Sequence, residues 1–338
     1  MASIAPARRG FWSNQRARAE ALSAYFFISP YLLITLIFTV GVIVFAVYIS
    51  FTNFNLYTTP EWAGLDNYAK ALTGTQFIRS LANVFWYVLI VVPVQTALAV
   101  ALATLLNAKV KGLRIFRTIF YAPSVTSPVV ISMIFFWLYL NTGYLNFFLT
   151  KVFAAFGGEW QRIEWLNYPK GIFQLIANAL GGNIPANLYL LRGPSVTWLA
   201  LMFMNIFTTA PTFMIIFLAA LQDIPASLYE AVSIDGASKS QQFWRITVPM
   251  LRPTILLVVV LGTIGTFQIF DQVKILTAGG PLDTTLVPVY LIYTEALGVN
   301  GPPQMGYAAA MAFLLAAIIF VFTFIQRRYI ERGTELYY

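Results

Sequence analysis

Residues 221–253 read LQDIPASLYEAVSIDGASKSQQFWRITVPMLRP, a polar, cationic segment set between two strongly apolar runs. It is too polar to cross a bilayer and too well patterned to be a passive linker. Pro225 suits a first helical turn, with Asp223 ahead of it as a candidate cap. Helix formers dominate from Ala226 to Asp235, and Gly236 supplies a residue that turns sharply without a side-chain penalty. A second short helix through Phe243 and Trp244 follows, and Pro249 and Pro253 redirect the chain. The pattern predicts helix, glycine turn and helix lying along a membrane surface. Ala231 and Ala237 permit close approach, and Glu230 offers a charge that a basic group on a partner can pair with.

The rest of the chain supplies the membrane. Of 338 residues 59% are apolar and only 10% charged, more apolar surface than a soluble domain can bury. Runs of about 20 mostly uncharged residues, enough to cross roughly 30 Å of hydrocarbon as helices, fall near Tyr25 to Ser50, Ala82 to Asn107, Thr118 to Asn141, Val196 to Ala220, Thr254 to Val273 and Gly306 to Ile325. The expectation is an all-α integral membrane protein of six transmembrane helices. A basic segment, 1–24, precedes the membrane domain at 25–330, and a tail, 331–338, follows it. The first apolar run is longer than a typical signal core of about 7–15 residues and reads as an uncleaved anchor.

Cations orient the chain, because Lys and Arg bias short flanking segments toward the cytoplasm. The amino-terminal segment, residues 109–117, the 221–253 segment and the carboxy-terminal stretch hold fourteen of the 21 Lys and Arg. Both termini and the opening segment are therefore expected in the cytoplasm. The net charge of +8 follows from this bias and requires no nucleic acid. Outside lie residues 51–81, 142–195 and 274–305, the middle one rich in Gly, Pro and Trp, with a short interfacial helix expected from Ile172 to Leu180.

Chemistry is bounded by what is missing. The chain has no cysteine and no histidine, which removes thiol nucleophiles, imidazole bases and the usual zinc sites. It also lacks a G-x-x-x-x-G-K-[ST] phosphate loop, so it is expected neither to be an enzyme nor to hydrolyse ATP itself. Intramembrane polar groups are costly to leave unpaired and so mark candidate pathways. Asn205, Gln268 and Asp271 stand out. Gln268 and Asp271, three apart, are expected on one helix face beside Phe267 and Phe270, a mixture of rings and polar acceptors suited to hydroxyl-rich solutes. Pro93, Pro123, Pro128 and Pro211 interrupt spans, and Ala308, Ala312 and Ala316 form a small-residue stripe expected to pack against another helix.

The run Glu230-Ala231-Val232, then Asp235-Gly236-Ala237, ending in Ile246-Thr247-Val248-Pro249, resembles the EAA loop of permease subunits from binding-protein-dependent ABC importers. Leu221 to Pro225, Leu228-Tyr229-Glu230 and Gln242-Phe243-Trp244 are similar to the carbohydrate branch of that family, the maltose and glycerol-phosphate type. Gly64 to Tyr68, Phe116-Arg117-Thr118, Gly143 to Asn146 and Gly279-Gly280-Pro281 agree. The resemblance covers about residues 25–330. Val232 stands where Ala is usual, and about 173–195 looks like an insertion. The resemblance implies a type I importer permease in the cell membrane of a prokaryote, moving a sugar or oligosaccharide by alternating access. It would work with a second, similar permease, two cytosolic ATPase subunits that carry the ATP and magnesium, and an extracytoplasmic sugar-binding protein. Glu230, Ala231, Asp235, Gly236, Ala237 and Pro249 would then couple the chain to the ATPase. Rival readings are a permease for another small polar solute, or a secondary transporter, which would need intramembrane charge pairs.

Overall fold

A computed structural model describes residues 15–107, 112–185 and 188–331. The lead-in Arg8 and Arg9, the loop cations Lys109 and Lys111 and residues 332–338 lie outside these limits. The chain opens with α1 (Gln15–Ile34), a π-helical turn (Thr35–Gly41) and α2 (Val42–Ser50), which form one long apolar helix. A two-residue hairpin, β1 (Thr52–Asn53) with β2 (Glu61–Trp62), and α3 (Asp66–Thr73) follow. Next come α4 (Thr75–Leu106), α5 (Leu113–Val125), α6 (Pro128–Tyr139), α7 (Tyr144–Ala155), α8 (Ile172–Ala179) and α9 (Val196–Gln222). The 221–253 segment forms α10 (Ala226–Ile234), α11 (Lys239–Gln242), a π-helical turn (Phe243–Thr247) and α12 (Val248–Met250). The chain closes with α13 (Arg252–Phe267), α14 (Asp271–Leu276), α15 (Pro288–Leu297) and α16 (Met305–Glu331).

Five helices among the described residues are long and apolar enough to cross a membrane, and α5 with α6 makes a sixth crossing only as a bent pair. The span expected from Thr118 to Asn141, with Pro123 and Pro128 as its breakers, is two helices meeting at 96°. Thr126 and Ser127 are extended there, because Pro128 disfavours helical geometry in the residue before it and starts α6 as its first residue. The second span begins seven residues earlier than the apolar run predicts. At 32 residues, about 48 Å at 1.5 Å per residue, α4 outruns the hydrocarbon, and its extra turns bury Phe77 and Ser80 against neighbouring elements.

Packing centres on α4 against α9, with α13 and α16 closing around α4. Tyr87 and Trp198, both fully buried, meet at 4.4 Å between ring centroids. By contrast, only 6% of the most apolar window of the first span is buried, so nearly all its side chains face outward from the chain. At its carboxy-terminal end it is tied to the elements that follow, where Ser50 meets the Tyr68 hydroxyl at 2.7 Å and the buried Asn67 Nδ2 donates to the carbonyls of Ser50 and Thr52. Gly306 completes this junction, since a Cβ there would lie 1.9 Å from the Thr52 carbonyl oxygen. The alanine stripe is corrected too: Ala308 is buried, but Ala312 and Ala316 are exposed, and the inward face of α16 runs through Met311, Leu315 and Ile319.

Asn146, the last residue of the Gly143-Tyr144-Leu145-Asn146 run, holds the outer loop. It is fully buried, donates from Nδ2 to the carbonyls of Leu140, Asn141 and Ile163, and accepts at Oδ1 from Trp160 Nε1 and the Ile163 amide. Asn146→Asp keeps the shape and the acceptor and removes the donors, leaving buried carbonyls unpaired at about 1–3 kcal/mol. The thermal unfolding midpoint of the purified protein should fall, whereas the same change at the exposed Asn141 should leave it unmoved.

Candidate functional site

The fifth span does not run straight through. Helix α13 ends at Phe267, Gln268 caps it, and Phe270 takes an extended φ of −142° before α14 begins at Asp271. Gln268 and Asp271 therefore do not share a helix face, which corrects the expectation from their spacing. A break in a membrane helix frees backbone groups and is tolerated only beside protein or water, and this one opens on a cleft of about 270 Å³. Asn205, Gln268, Phe270 and Asp271 all line it, so the chain brings together four of the five residues expected there. The fifth, Phe267, turns into the core and packs edge-on against Phe322 at 5.5 Å.

Two further residues of the cleft, Gln95 and Thr209, were not singled out in the sequence. The Thr209 hydroxyl lies 2.6 Å from Gln95 Oε1 and 2.8 Å from the Asn205 carbonyl, and can donate to one of them at a time. Gln95 is 1% exposed, and its Nε2 has no partner. Only glycine at 262 leaves room for that amide, because a Cβ there would stand 2.5 Å from Nε2. An unspent donor in a buried amide is expensive, and a lone Gln two residues after Pro93 in an apolar run was the available signal. Past the break, Phe270 packs on Tyr293 at 5.1 Å, and Lys274 Nζ lies 3.1 Å from the Tyr293 hydroxyl. Rings, amides, a hydroxyl and a carboxylate thus converge at one depth, an arrangement suited to a neutral, hydroxyl-bearing solute. None of it provides a nucleophile with an adjacent base.

The 221–253 segment folds as its pattern predicts, with one correction. Asp223 does not cap α10: it ends α9 in helical geometry, and Pro225 precedes α10 with no side-chain cap. Gly236 makes the turn at φ +79°, in the left-handed region. Ser238 and Gln241 then form a reciprocal capping box on α11 that the sequence reading missed. Tyr229 and Thr247 hydroxyls meet at 2.9 Å, and the buried Gln242 donates to the Ala237 carbonyl at 3.3 Å, fixing the two helices from within. Outward, Glu230, Ala231, Asp235 and Gly236 are exposed, Ala237 and Pro249 are half-buried, and Ile234 stands 87% exposed. A hollow of about 450 Å³ between Tyr229, Glu230, Ile234 and Lys239 completes the face.

Residues 95–334 match the family described as "Binding-protein-dependent transport system inner membrane component". The chain is similar to a probable ABC transporter permease protein, YesP, of Bacillus subtilis (strain 168), at 34% identity over 92% of this chain and 91% of the relative. It is similar to an arabinooligosaccharides transport system permease protein, AraP, of Halalkalibacterium halodurans, at 31% over 91% and 87%. A trehalose/maltose transport system permease protein, MalF, of Thermococcus litoralis matches at 28% over 90% and 92%. Among solved structures, a bacterial ABC transporter involved in the import of the acidic polysaccharide alginate superposes with a TM-score of 0.72. At 21% identity over 93% of this chain and 96% of that one, this likeness concerns the fold.

Replacing Thr209 by Val leaves both ends of the Gln95 amide unpaired and should cost about 1–3 kcal/mol. Thermal unfolding of Thr209→Val against Thr209→Ser separates the hydroxyl from the methyl: the serine variant should retain most of the stability.

Proposed function

Because the chain belongs to the family of binding-protein-dependent transport system inner membrane components, we propose that its polar cleft lies on the passage of a sugar through an importer. In this reading the chain is the membrane-spanning permease subunit of an ABC importer for a sugar or oligosaccharide. Relatives named as arabinooligosaccharide, multiple-sugar, lactose and trehalose/maltose permeases support the solute class. The observation that carries it is the break at residues 268–270 beside Gln95, Asn205 and Thr209. A helix interrupted at membrane depth against a polar, partly unsatisfied cleft fits a solute pathway and serves no purpose in a passive anchor.

The cleft is smaller than the roughly 300–1,000 Å³ of ordinary ligand sites. A second, similar permease completing the passage accounts for that, and the outward-facing first span offers apolar surface to that partner or to lipid. On the other side, two cytosolic ATPase subunits receive the face of Glu230, Ala231, Asp235, Gly236 and Ala237, with Pro249 behind it. They supply ATP and magnesium, and an extracytoplasmic binding protein delivers the sugar. Both termini lie with the ATPase in the cytoplasm. Transmission requires contacts that differ between the two states of the ATPase, and the rigid helix–turn–helix unit can carry them.

Substituting Gln268 and Asp271 by Ala should lower ATP-driven uptake by about tenfold, the scale of lost polar contacts, with the ATPase still co-purifying; uptake at the native rate and affinity removes these residues from the passage. Valine in place of Gly236 must adopt φ near +79° at a cost of about 1–2 kcal/mol or more. Gly236→Val should weaken ATPase association and uptake together while the chain still inserts, and undiminished association with full uptake sinks the coupling assignment.

A further inference from the structure

A second pocket lies outside the membrane, away from the cleft. It encloses about 350 Å³ where the start of α4, the loop around α8 and residues 282–284 meet, and Arg79, Lys170, Gln174, Tyr189, Arg192 and Thr284 line it. Three cations face one small space. Among the described residues none of the three is paired with a carboxylate. The guanidinium of Arg79 stands 5.9 Å from the Tyr189 ring, and Arg192 spends one Nη2 donor on the Ile184 carbonyl and leaves its buried Nε without a partner. Asp283 lies near enough for its field to reach Tyr189 but does not line the pocket. Like charges held together repel, so this arrangement costs energy unless an anion occupies it.

The pocket is built, not a chance meeting of surface side chains. Gly171 and Ser195 form a β-bridge, with the Ile172 amide donating to Pro194 at 2.9 Å and the Val196 amide to Lys170 at 3.2 Å. A Cβ at Gly171 would lie 2.1 Å from the Arg192 carbonyl oxygen, and one at Gly193, where φ is +71°, would lie 2.6 Å from the Phe173 ring. This tight crossing fixes Lys170 and Arg192 on either side of the opening turn of α8, whose helix dipole adds positive potential. The Tyr189 hydroxyl donates to Asn83 Oδ1 and so offers its lone pairs to the pocket. Burial pushes its phenol up from the ordinary value, outweighing the Asn83 hydrogen bond and Arg79, and Asp283 adds to the rise, so the hydroxyl stays protonated at neutral pH. Thr284 donates to Pro281 and likewise keeps acceptor capacity, and Gln174 brings an amide.

We propose that this pocket binds a sugar acid, a saccharide unit whose carboxylate sits between Arg79, Lys170 and Arg192 and whose hydroxyls meet Gln174, Tyr189 and Thr284. Three cations around one space favour a carboxylate, and neutral acceptors around them favour a ligand that also carries hydroxyl donors. The proposal rests on the reading of the chain as a sugar permease and narrows the solute to oligosaccharides containing uronic acid. The pocket is too far into the outer loop to be the membrane passage, and its role is capture of the acidic unit at the outer mouth.

The test uses the complex of this chain with its partner subunits in lipid nanodiscs, without the binding protein, titrated calorimetrically with digalacturonate, digalactose and acetate. Saturable binding of digalacturonate at least about tenfold tighter than of either other probe, weakened about tenfold in Lys170→Gln and in Arg192→Gln, supports the proposal. Lys170 is exposed and, among the described residues, its side chain makes no hydrogen bond, while its backbone carbonyl accepts from the Val196 amide in wild type and variant alike, so the variant tests charge without disturbing the loop. Equal affinity for digalactose, equal affinity for acetate, or no saturable binding of digalacturonate overturns it. Should the same variants weaken association with the binding protein while free sugar acids do not bind, the pocket is a docking site for a protein carboxylate and the proposal falls. ATP-driven uptake of a neutral sugar that persists alongside any of these failures leaves the importer reading standing; absence of all ATP-driven sugar uptake removes that reading instead.

Discussion

In hydrocarbon an unpaired backbone amide or carbonyl costs several kcal/mol, and no water is at hand to relieve it. This constraint dictates where the chain can stop being helical. The first span runs unbroken along 33 residues with its side chains facing outward. The interruption at residues 268–270 opens on the polar cleft, whereas the bend at residues 126–127 is exposed, with Ser127, Val129 and Val130 facing outward from the chain. Pro93 and Pro211 sit inside continuous helices, with Pro211 buried against neighbours that can tolerate its missing donor. At residues 268–270 the freed backbone groups have the polar cleft to face.

Much of this was legible in the sequence because the bilayer enforces a length. Runs of apolar residues located all six crossings, and the Pro225-to-Gly236 punctuation located the helix–turn–helix between the fourth and fifth. What the sequence could not show was direction within an apolar run. Nothing in Gly265-Thr266-Phe267-Gln268-Ile269-Phe270-Asp271 announces that the helix stops at Phe267, for there is no proline and the nearest glycine stays helical. Spacing three apart implied a shared face, and the break rotated Phe267 into the core while leaving Gln268 in the cleft. Gln95 escaped notice because α4 is otherwise apolar around it; its importance emerges only when Thr209 and Gly262, distant in sequence, arrive beside it. The stripe Ala308, Ala312 and Ala316 misled for a related reason: spacing defines a face but not which face turns inward.

Asparagine does at the outer surface what apolar packing does in the membrane. Asn67, Asn83 and Asn146 are each buried; Asn67 and Asn146 close turns of up to 17 residues, and Asn83 ties together segments far apart in the chain. Asn83 donates to the carbonyls of Asp283 and Leu286, accepts from the Tyr189 hydroxyl, and gives its own carbonyl to Trp198 Nε1. One amide thereby joins α4, α9, the loop before α15 and the outer loop around α8. An Asn carries two donors and an acceptor on a short stem, so it can close several loose backbone ends at little conformational cost. Two of these residues lie in the short runs that carried the family resemblance, Gly64 to Tyr68 and Gly143 to Asn146. Their place there is explained by hydrogen bonding to backbone, with no contact to a solute required.

The same economy governs how the 221–253 segment and the cleft are related. Helix α13 starts at Arg252, directly after the 221–253 segment, and ends at the break that opens the cleft. Its 16 residues make a rod of about 24 Å, with Gly262 fitted against Gln95 on α4 and Thr263 accepting from Gln326 on α16. A rod held at mid-length by two such contacts transmits a tilt at one end as a displacement at the other, and the non-helical residues 268–270 absorb the change in direction so that α14 need not follow. In the proposed importer, energy delivered at Glu230 and Gly236 therefore reaches the solute path through one uninterrupted helix. The break serves as its hinge and also forms a wall of the cleft. In the same proposal, selection of the solute is physically separate, assigned to side chains beyond the hinge and in the outer pocket, where substitutions would alter what is carried without altering how the chain is driven.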